Sequence, residues 1–300
     1  MSSQFKSGFV NLIGLPNSGK STLINALTGE KMAIISPKPQ TTRQRILGLI
    51  NNANYQIIFS DTPGYIDQTN YPLHQSMNLQ VYTALEDADC LLLVIDASRE
   101  LELPDNFVKL LHPIKVPILI CLNKVDLSTP QKVSEIENTI QHLGIPHSKI
   151  IPISAIKNLG IDSLLEEVKT LLPEHPAYYP DDILSNRPIR FFLSELIREQ
   201  LFKLYDAEIP YHCFVTIESC KGVDDLLDMA VIYANIYVGK QSQVPILIGK
   251  GGTKLKELGI RSRTEIEKYL NQKVYLNLSV KLRKDWRNNE SFITKSSIFQ

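Results

Sequence analysis

The stretch Gly14-Leu-Pro-Asn-Ser-Gly-Lys-Ser21 decides the fold of the first half of the chain. It has the spacing G-x-x-x-x-G-K-[ST] of a phosphate-binding loop, and it lies between a predicted strand, Phe9–Ile13, and a predicted helix, Ser21–Leu27. Glycine lets the backbone wrap a phosphate, because a Cβ would block positive φ and close approach. The backbone N–H groups and the positive helix end then face the anion. The loop therefore predicts a nucleoside triphosphate site at a strand-to-helix turn.

Short apolar runs alternate with amphipathic stretches through this half of the chain. Alternating strands and helices favour right-handed crossovers and a mostly parallel sheet with helices on both faces, which is an α/β fold. We also expect Ile46–Ile50 to pair antiparallel with the next strand at one edge, turning through Asn51–Asn54. The predicted strands are Phe9–Ile13, Gln56–Phe59, Cys90–Ile95, Val116–Leu122 and Ile150–Ile153, and the predicted helices are Ser21–Leu27, Leu73–Leu85, Pro104–Leu111, Pro130–Leu143 and Ile161–Leu172.

Residues in and after the loop have the chemistry for a phosphate and a metal ion. Lys20 is expected to contact the β- and γ-phosphates, and the Ser21 hydroxyl is expected to bind Mg²⁺. The turn Asp61-Thr-Pro-Gly64 follows a predicted strand, so we expect Asp61 near Mg²⁺ and the Gly64 N–H near the γ-phosphate. This places the ligand at the carboxyl ends of the strands, where ligands bind in open α/β sheets.

The segment Ser36–Arg45 is the predicted first switch. Either Thr41 or Thr42 is expected to complete the Mg²⁺ coordination when the γ-phosphate is present, and its position just before a basic residue favours Thr42. The candidate catalytic residues are Lys20, Thr42 and Gly64, and the candidate metal ligands are Ser21, Thr42 and Asp61.

Guanine recognition is predicted from the loop Asn123-Lys-Val-Asp126, which follows a predicted strand. The Asp126 carboxylate can accept hydrogen bonds from guanine N1–H and the exocyclic amine, whereas adenine has no donors in that arrangement. Asn123 and Lys124 are expected to brace the loop and cover the base, and Ser154-Ala155 to direct a backbone N–H at guanine O6. The loops together predict GTP binding. The candidate nucleotide contacts are Asn17, Ser18, Gly19, Lys20, Ser21, Thr22, Asp61, Gly64, Asn123, Lys124, Asp126, Ser154 and Ala155.

The whole chain is electrically neutral, but its charge is unevenly distributed. Lys+Arg and Asp+Glu both number 32, whereas the stretch from Lys240 to Arg287 holds 12 basic and 4 acidic residues, a net charge of +8. This asymmetry indicates a polyanionic partner, with a solvated basic face as the alternative. Four cysteines without metal-ligand spacing favour reduced thiols. With no signal-like leader and no apolar run approaching about 18 residues, we expect a cytosolic protein.

A change in composition after Leu172 marks a predicted domain boundary. Pro173, Pro176 and Pro180 lie within eight residues and oppose both helix and strand. The predicted divisions are a nucleotide domain at 1–172, a linker at 173–187, an RNA-binding domain at 188–290 and a polar tail at 291–300.

The second half carries a G-x-x-G loop, Gly249–Gly252, inside the basic stretch. In a ββααβ pattern, such a loop is typical of a KH domain, where it lets a nucleic-acid backbone approach and clamps about four nucleotides. Trp286 is predicted either to stack on a base or to pack in the core. The predicted elements of this second half are helices at Pro188–Leu204 and Arg263–Leu270 and strands at Cys213–Glu218, Ala230–Val238 and Val274–Val280. The candidate RNA contacts are Ile248, Gly249, Lys250, Gly251, Gly252 and Lys254, with Lys256 and Ile246 beside them.

The motifs together resemble those of the translation-factor-related bacterial GTPases. Pro16 and Asn17 in the phosphate loop, the segment Pro39–Arg43 and the Asp61–Gly64 turn carry this resemblance. Within that group, from about Gly8 to Asn288, the chain resembles the Era family of ribosome-assembly GTPases (the TrmE-Era-EngA group). Ser18 departs from the family, which usually has a valine there. The further stretches that resemble the family are Ile248–Gly252, Lys273–Leu278, Lys284–Arg287 and the connector from Pro173 into Pro188–Tyr205.

The resemblance implies a P-loop GTPase domain followed by an α+β type II KH domain. It implies GTP/GDP and Mg²⁺ as cofactors and a monomeric protein that binds the 3′ end of 16S rRNA and assists assembly of the 30S ribosomal subunit. The basic surface is equally compatible with a peripheral contact on the inner face of the cell membrane. In related GTPases an asparagine at the Asn17 position helps hold potassium, which gives the hypothesis that K⁺ stimulates hydrolysis.

Hydrolysis is expected to be slow. Ras-type enzymes orient the attacking water with a glutamine just after the Asp-x-x-Gly turn, and Tyr65 occupies that position here. Two alternatives stay open at this point. One is a non-catalytic RNA-binding assembly factor that uses GTP as a structural ligand, and the other is a GTPase of tRNA modification or membrane trafficking, which the G-x-x-G loop disfavours.

Overall fold

The computed structural model describes residues 5–36, 38, 41–69, 72–206, 208–223, 228–284 and 286–288, without the side chain at position 287. The described residues divide into two compact units, one ending at Asn186 and the other beginning at Arg187. Three residues of the predicted first switch, Pro37, Pro39 and Gln40, and the predicted tail lie outside the described residues.

The first unit is built on one mixed sheet. Its described strands are ordered β2-β3-β1-β4-β5-β6, and only the β2–β3 pair is antiparallel. All seven residues of the central strand β4 are buried, as expected for a parallel strand with helices on both faces. The strands are β1 (Lys6–Ile13), β2 (Ile46–Asn51), β3 (Tyr55–Asp61), β4 (Cys90–Asp96), β5 (Ile118–Asn123) and β6 (Lys149–Pro152).

The connections between these strands contain helices, except for the short turn that joins β2 to β3. Phe107 and Leu111 on one helix, and Ile136 and Ile140 on another, pack against the apolar side chains of β4 and β5. The helices are α1 (Lys20–Thr28), α2 (Pro72–Glu86), α3 (Asp105–Leu111), α4 (Pro130–His142) and α5 (Ile161–Leu171). The predicted α/β fold is confirmed, including the antiparallel edge.

The proline-rich segment after α5 lies along the outer side of the sheet, and we call residues 173–186 the strap. The backbone N–H of Leu49 on β2 donates to the Leu184 carbonyl at 3.0 Å. The side-chain oxygen of Gln56 accepts from the backbone N–H groups of Tyr178 and Tyr179 at 2.7 and 3.0 Å. The strap therefore belongs to the first unit through backbone contacts, although proline keeps it out of regular structure.

The second unit has the order αββααβ of a type II KH domain. Its described sheet is β7-β8-β9, with β7 and β8 antiparallel and β8 and β9 parallel. Alternate residues of β8, Ala230 to Val238, are buried beneath the helices. The elements are α6 (Ile189–Leu204), β7 (Cys213–Lys221), β8 (Met229–Val238), α7 (Gln243–Ile248), α8 (Thr253–Leu270) and β9 (Lys273–Leu282).

Two local predictions in this unit needed the structure to settle them. The helix predicted at Arg263–Leu270 begins ten residues earlier, at Thr253, directly after Gly252. Trp286 is a core residue: it is 2% exposed, and its Nε1 donates to the His212 carbonyl at 3.0 Å. The Trp286 indole also packs against Phe214, so it presents no face for stacking on a base.

The cysteines are thiols rather than disulfides: Cys90, Cys121 and Cys213 are buried, and Cys220 is half-buried. Burial raises the pKa of the Cys90 thiol to about 12, so it stays protonated as a small core side chain. Across the described part of the chain, none of the helices combines the length and apolar composition needed to cross a bilayer.

Candidate functional site

The phosphate loop joins β1 to α1 and requires glycine at two positions. Gly14 and Gly19 have φ of 145° and 98°. A Cβ on Gly14 would lie 2.4 Å from the Val94 carbonyl oxygen, and one on Gly19 would lie 2.2 Å from the Asn123 amide nitrogen. The loop is therefore fixed by backbone geometry that other residues cannot adopt there.

Lys20 lies inside this loop. Its Nζ donates to the carbonyls of Gly14 and Leu15 at 3.1 and 2.9 Å. Burial lowers the pKa of Lys20 to about 8, and the nearby Asp61 carboxylate opposes that shift. A buried ammonium of this kind is well placed to exchange carbonyl contacts for an anion.

Three oxygen-bearing side chains meet beside the loop. The Ser21 hydroxyl donates to Asp61 Oδ2 at 2.7 Å and lies 2.8 Å from the Thr42 hydroxyl. Thr42 also donates to Asp61 Oδ2, at 3.3 Å. The neighbouring Thr41 hydroxyl instead donates to the Lys38 carbonyl. The geometry therefore brings Thr42, and not Thr41, to Ser21 and Asp61.

The second oxygen of Asp61 marks this cluster as suited to a cation. It is buried, and within the described part of the chain it accepts no hydrogen bond. Burial raises the pKa of Asp61 to about 6, while Ser21, Lys20 and Thr42 pull that pKa down. Two hydroxyls and a carboxylate with a spare oxygen are hard ligands of the type that Mg²⁺ prefers, so the residues fit this ion.

The turn after β3 touches the phosphate loop directly. A Cβ on Gly64 would lie 2.5 Å from the backbone nitrogen of Pro16, so only glycine fits. The next N–H, that of Tyr65, donates to the Gly14 carbonyl at 3.1 Å. The Tyr65 side chain is buried and stacks on Phe107 with ring centroids 4.9 Å apart. It therefore occupies the core rather than the cleft.

One carboxamide joins three of the predicted loops. Asn123 at the end of β5 donates from Nδ2 to the Ser18 carbonyl at 2.9 Å. Its Oδ1 accepts from the backbone N–H groups of Lys124 and Ala155 at 2.9 and 3.0 Å. The Ala155 N–H, predicted to face guanine O6, thus has a contact within the protein.

The rest of the base loop is oriented by charge. Lys124 Nζ donates to Asp96 Oδ2 at 2.7 Å and to the Asn17 carbonyl at 2.8 Å. Desolvation raises the pKa of Asp96, but hydrogen bonds from Lys124 and Ser98 outweigh it, and the net shift is downward. Asp126 is exposed, and its Oδ1 accepts from the Ser154 hydroxyl at 2.5 Å.

These loops surround a cleft of about 500 Å³. Sequence reasoning missed several residues that line the cleft. Asp96 directly follows the predicted strand Cys90–Ile95, and that position was a usable signal. The lining residues are Pro16, Asn17, Gly19, Lys20, Ser21, Thr22, Ile34, Ile35, Ser36, Thr41, Thr42, Thr62, Gly64, Asp96, Arg99, Lys124 and Ile156.

The G-x-x-G loop lies between α7 and α8 in the second unit. Gly249, Gly251 and Gly252 all have positive φ, at 74°, 61° and 78°. A Cβ on Gly249 would lie 2.9 Å from Lys254, whereas the space beside the other two glycines is open. Lys250 is exposed at the tip, and the Lys254 ammonium lies 5.6 Å above the ring of Tyr205.

A groove of about 400 Å³ runs from this loop between α8 and β9. It combines apolar side chains with the basic side chains of Lys256 and Arg263. Two isoleucines of α7 were predicted at or beside the RNA contacts. Ile246 is exposed on this helix, and Ile248 is half-buried at the end of the helix. The groove residues are Gly252, Leu255, Lys256, Gly259, Ile260, Arg263, Leu276, Asn277 and Leu278.

The fold and these two sites define a P-loop GTPase joined to a KH domain. The family described as 50S ribosome-binding GTPase matches residues 9–124, and the KH domain family matches residues 208–287. The chain is a member of the Era family of GTPases, as its likeness to solved Era structures shows.

Two of those structures cover 97% of this chain and 98% of their own, at 37% identity and a TM-score of 0.90. One is Era in complex with MgGDPNP and nucleotides 1506–1542 of 16S ribosomal RNA. The other is a variant of Aquifex aeolicus Era bound to GDP and AlF4⁻. The predicted family and enzyme class are confirmed, and the non-catalytic alternative is not favoured.

Proposed function

We propose that this GTPase is an Mg²⁺-dependent switch that binds the 3′ end of 16S rRNA and assists assembly of the 30S subunit. The observation that carries the nucleotide part is the Ser21–Thr42–Asp61 cluster beside Lys20, with its buried, unsatisfied carboxylate oxygen. The RNA part is supported by the groove beside the G-x-x-G loop and by the RNA that a related Era carries.

On the phosphate side, Lys20 exchanges its contacts with the Gly14 and Leu15 carbonyls for the β- and γ-phosphates. Ser21, Asp61 and Thr42 would hold Mg²⁺, which neutralises charge on the phosphate oxygens. The Gly64 N–H faces the γ-phosphate. Thr42 already contacts Ser21 and Asp61 in this structure, and its hydroxyl would complete the coordination of the ion when a triphosphate is bound.

On the base side, Asp126 accepts two hydrogen bonds from guanine, and the Ser154 hydroxyl keeps its carboxylate in position. The Ala155 N–H shares its hydrogen between Asn123 and guanine O6. The Lys124 side chain, held by Asp96 and the Asn17 carbonyl, covers the base. This arrangement selects GTP over ATP because adenine lacks the N1–H and the exocyclic donor that Asp126 requires.

The hydrolytic water is oriented without a side chain from position 65. The Tyr65 ring is buried against Phe107 and points away from the cleft. Backbone groups, the metal site or a bound partner would therefore position the water, and we expect intrinsic turnover to be slow.

In the KH domain, the G-x-x-G loop lets the RNA backbone pass close to Gly251 and Gly252. Lys250, Lys256 and Arg263 neutralise phosphates, and apolar groove residues contact the bases of single-stranded RNA. Only unpaired bases can enter such a groove, which agrees with a target at an RNA end.

The decisive experiment measures phosphate release from GTP and ATP in Mg²⁺ buffer, with and without 30S subunits or an oligonucleotide of the 16S rRNA 3′ end. Release should be specific for GTP, be lost in Lys20→Ala and respond to the RNA. Release from ATP at a similar rate would overturn the role of Asp126. A rate of phosphate release that does not change when RNA is added would indicate that the two domains act independently.

Three further expectations accompany this function. We expect a monomer by light scattering, located in the cytoplasm with its ribosomal partner. Contact of the basic surface with the inner face of the membrane is tested by flotation with anionic vesicles. Stimulation by K⁺ through Asn17 is tested in matched potassium and sodium buffers, where equal rates would remove it.

A further inference from the structure

Helix α2 holds the backbone of the first switch through one carboxamide. The side-chain oxygen of Gln80 accepts from the Arg45 N–H, and its Nε2 donates to the Arg43 carbonyl at 3.1 Å. Arg43 directly follows Thr42, and Arg45 lies three residues beyond Thr42. Pairing between β2 and β3 begins only at Ile46, so this clamp acts where the sheet stops.

The same helix holds the segment directly after Gly64, which we call the second switch, in the same way. Asn78 is 5% exposed, and its Oδ1 accepts from the Ile66 N–H at 3.0 Å. Its Nδ2 donates to the Ile66 carbonyl at 2.7 Å. Ile66 lies two residues beyond Gly64, whose N–H faces the γ-phosphate in the proposed function.

We propose that Asn78 and Gln80 are positioning residues that couple the two switch segments through α2. Asn78 fixes the backbone that carries Gly64, and Gln80 fixes the backbone that carries Thr42. Because both clamps belong to one helix, Thr42 and Gly64 reach their triphosphate-binding positions together. This inference rests on the proposed roles of those two residues.

A separate anchor keeps the start of β2 in place when Gln80 is changed. The Arg45 guanidinium binds both carboxylate oxygens of Asp87 at 2.5 and 3.0 Å. It also donates to Ser60 Oγ at 2.5 Å and to Asn11 Oδ1 at 3.1 Å. Loss of the Gln80 clamp therefore loosens the few residues after Thr42 and leaves the sheet intact.

The test compares Gln80→Ala with the matched control Gln131→Ala, at an exposed glutamine on α4 whose amide donates to Glu135 of the same helix. Thr42→Ala is the reference for losing the metal ligand itself. The first readout is binding of a non-hydrolysable GTP analogue and of GDP across a Mg²⁺ titration. The second is hydrogen exchange of the backbone amides at 41–46 with the analogue bound.

Gln80→Ala should raise the Mg²⁺ concentration for half-maximal analogue binding about tenfold, which corresponds to about 1.4 kcal/mol of lost hydrogen bonding. GDP binding should stay within about twofold, because a diphosphate does not use Thr42. Amide exchange at 41–46 should remain fast in Gln80→Ala and become slow in wild type. Gln131→Ala should match wild type in every readout.

Coupling between the two switch segments is tested with a second variant, at Asn78. Because Asn78 is buried, the milder change Asn78→Ser is used. This variant should also speed exchange at 41–46, although the hydrogen bonds of Asn78 described above go to Ile66. The double variant should show less than the sum of the two effects. Additive effects, or equal losses of analogue and GDP binding, would overturn the coupling.

Failure of the inference is distinguishable from failure of the proposed function. If Thr42→Ala raises the Mg²⁺ requirement while Gln80→Ala behaves like Gln131→Ala, the proposed metal site stands and the clamp is overturned. If Thr42→Ala itself leaves the Mg²⁺ requirement unchanged, the metal role of Thr42 and the inference fall together.

Discussion

The side-chain amide of Asn123 donates to the carbonyl oxygen of Ser18 across 2.9 Å, which fastens the base loop to the phosphate loop. The oxygen of the same side-chain amide accepts a hydrogen bond from the Ala155 N–H. Loops at the ends of β1, β5 and β6 thus share one buried carboxamide. Their spacing is set within the protein before any ligand arrives, which is preorganisation for binding.

Replacing Asn123 by alanine should weaken GTP and GDP equally. Loss of the buried hydrogen bonds costs about 1–3 kcal/mol, so the affinity for both nucleotides should fall about 5- to 150-fold. The Mg²⁺ dependence of binding should not change, because the metal cluster is untouched. Fluorescent-nucleotide titration measures this, with Asn106→Ala, a change at an exposed residue of α3, as control. Unchanged affinity would show that the loops hold their spacing without Asn123.

Replacing Ser18 by alanine should leave the protein equally stable or more stable. Its hydroxyl is buried and, among the described residues, has no hydrogen-bond partner. Removing an unsatisfied buried hydroxyl stabilises a protein by about 1 kcal/mol. Thermal unfolding of the GDP complex measures the change, and nucleotide affinity should stay constant. Ser154→Ala is the contrasting variant, since its hydroxyl holds Asp126 and its loss should weaken guanine binding.

The nucleotide-free and Mg²⁺-free protein should be stabilised by Asp61→Asn at neutral pH. Burial raises the pKa of Asp61 to about 6, above the ordinary 3.8. The folded state therefore disfavours the carboxylate, and this destabilisation is present above pH 6 and disappears as pH falls towards 4. At pH 7.5 the variant should gain about 1–3 kcal/mol in free energy of unfolding. Urea unfolding at pH 7.5 and pH 4.5 measures the free energy of unfolding of the variant and of wild type. A stability gain of equal size at both pH values would show that it does not arise from ionisation of Asp61.

Arginine 263 should contribute to RNA affinity through a phosphate contact. Arg263→Ala removes one positive charge from the groove, so binding of an oligonucleotide of the 16S rRNA 3′ end should weaken. The slope of log affinity against log salt should become shallower by about 0.7. Lys273→Ala, an exposed change at the start of β9, serves as control. Weaker binding with an unchanged slope would assign Arg263 to packing instead.

The nucleotide site was largely predictable because its residues come in short motifs. The residue types in Gly14–Ser21, Asp61–Gly64 and Asn123–Asp126 are dictated by local backbone geometry and by ligand chemistry, and strand ends bring the motifs together. The sequence favoured Thr42 over Thr41 only by its position before a basic residue. The structure separates the two by direction, because the Thr42 hydroxyl contacts Ser21 and Asp61 whereas the Thr41 hydroxyl donates to the Lys38 carbonyl.

Contacts between distant side chains and backbone could not be predicted. Gln80 and Asn78 look like ordinary polar helix residues, and their clamps exist only because the fold brings Arg45 and Ile66 to α2. The early start of α8 was missed because a glycine, Gly259, and a run of charged residues weaken the helical pattern. Arg263 was counted in the net charge of the stretch from Lys240 to Arg287, but the sequence did not indicate that this residue lines the groove between α8 and β9.

The strap has a consequence for how this protein can be divided into pieces. The Leu47 and Leu49 N–H groups on β2 bind Asn186 and Leu184, so the strap covers an edge that would otherwise be open to another strand. A fragment cut after Leu172, where the prolines begin, would expose that edge and invite self-association into aggregates. The smallest nucleotide-binding fragment that keeps its own edge shielded ends at Asn186.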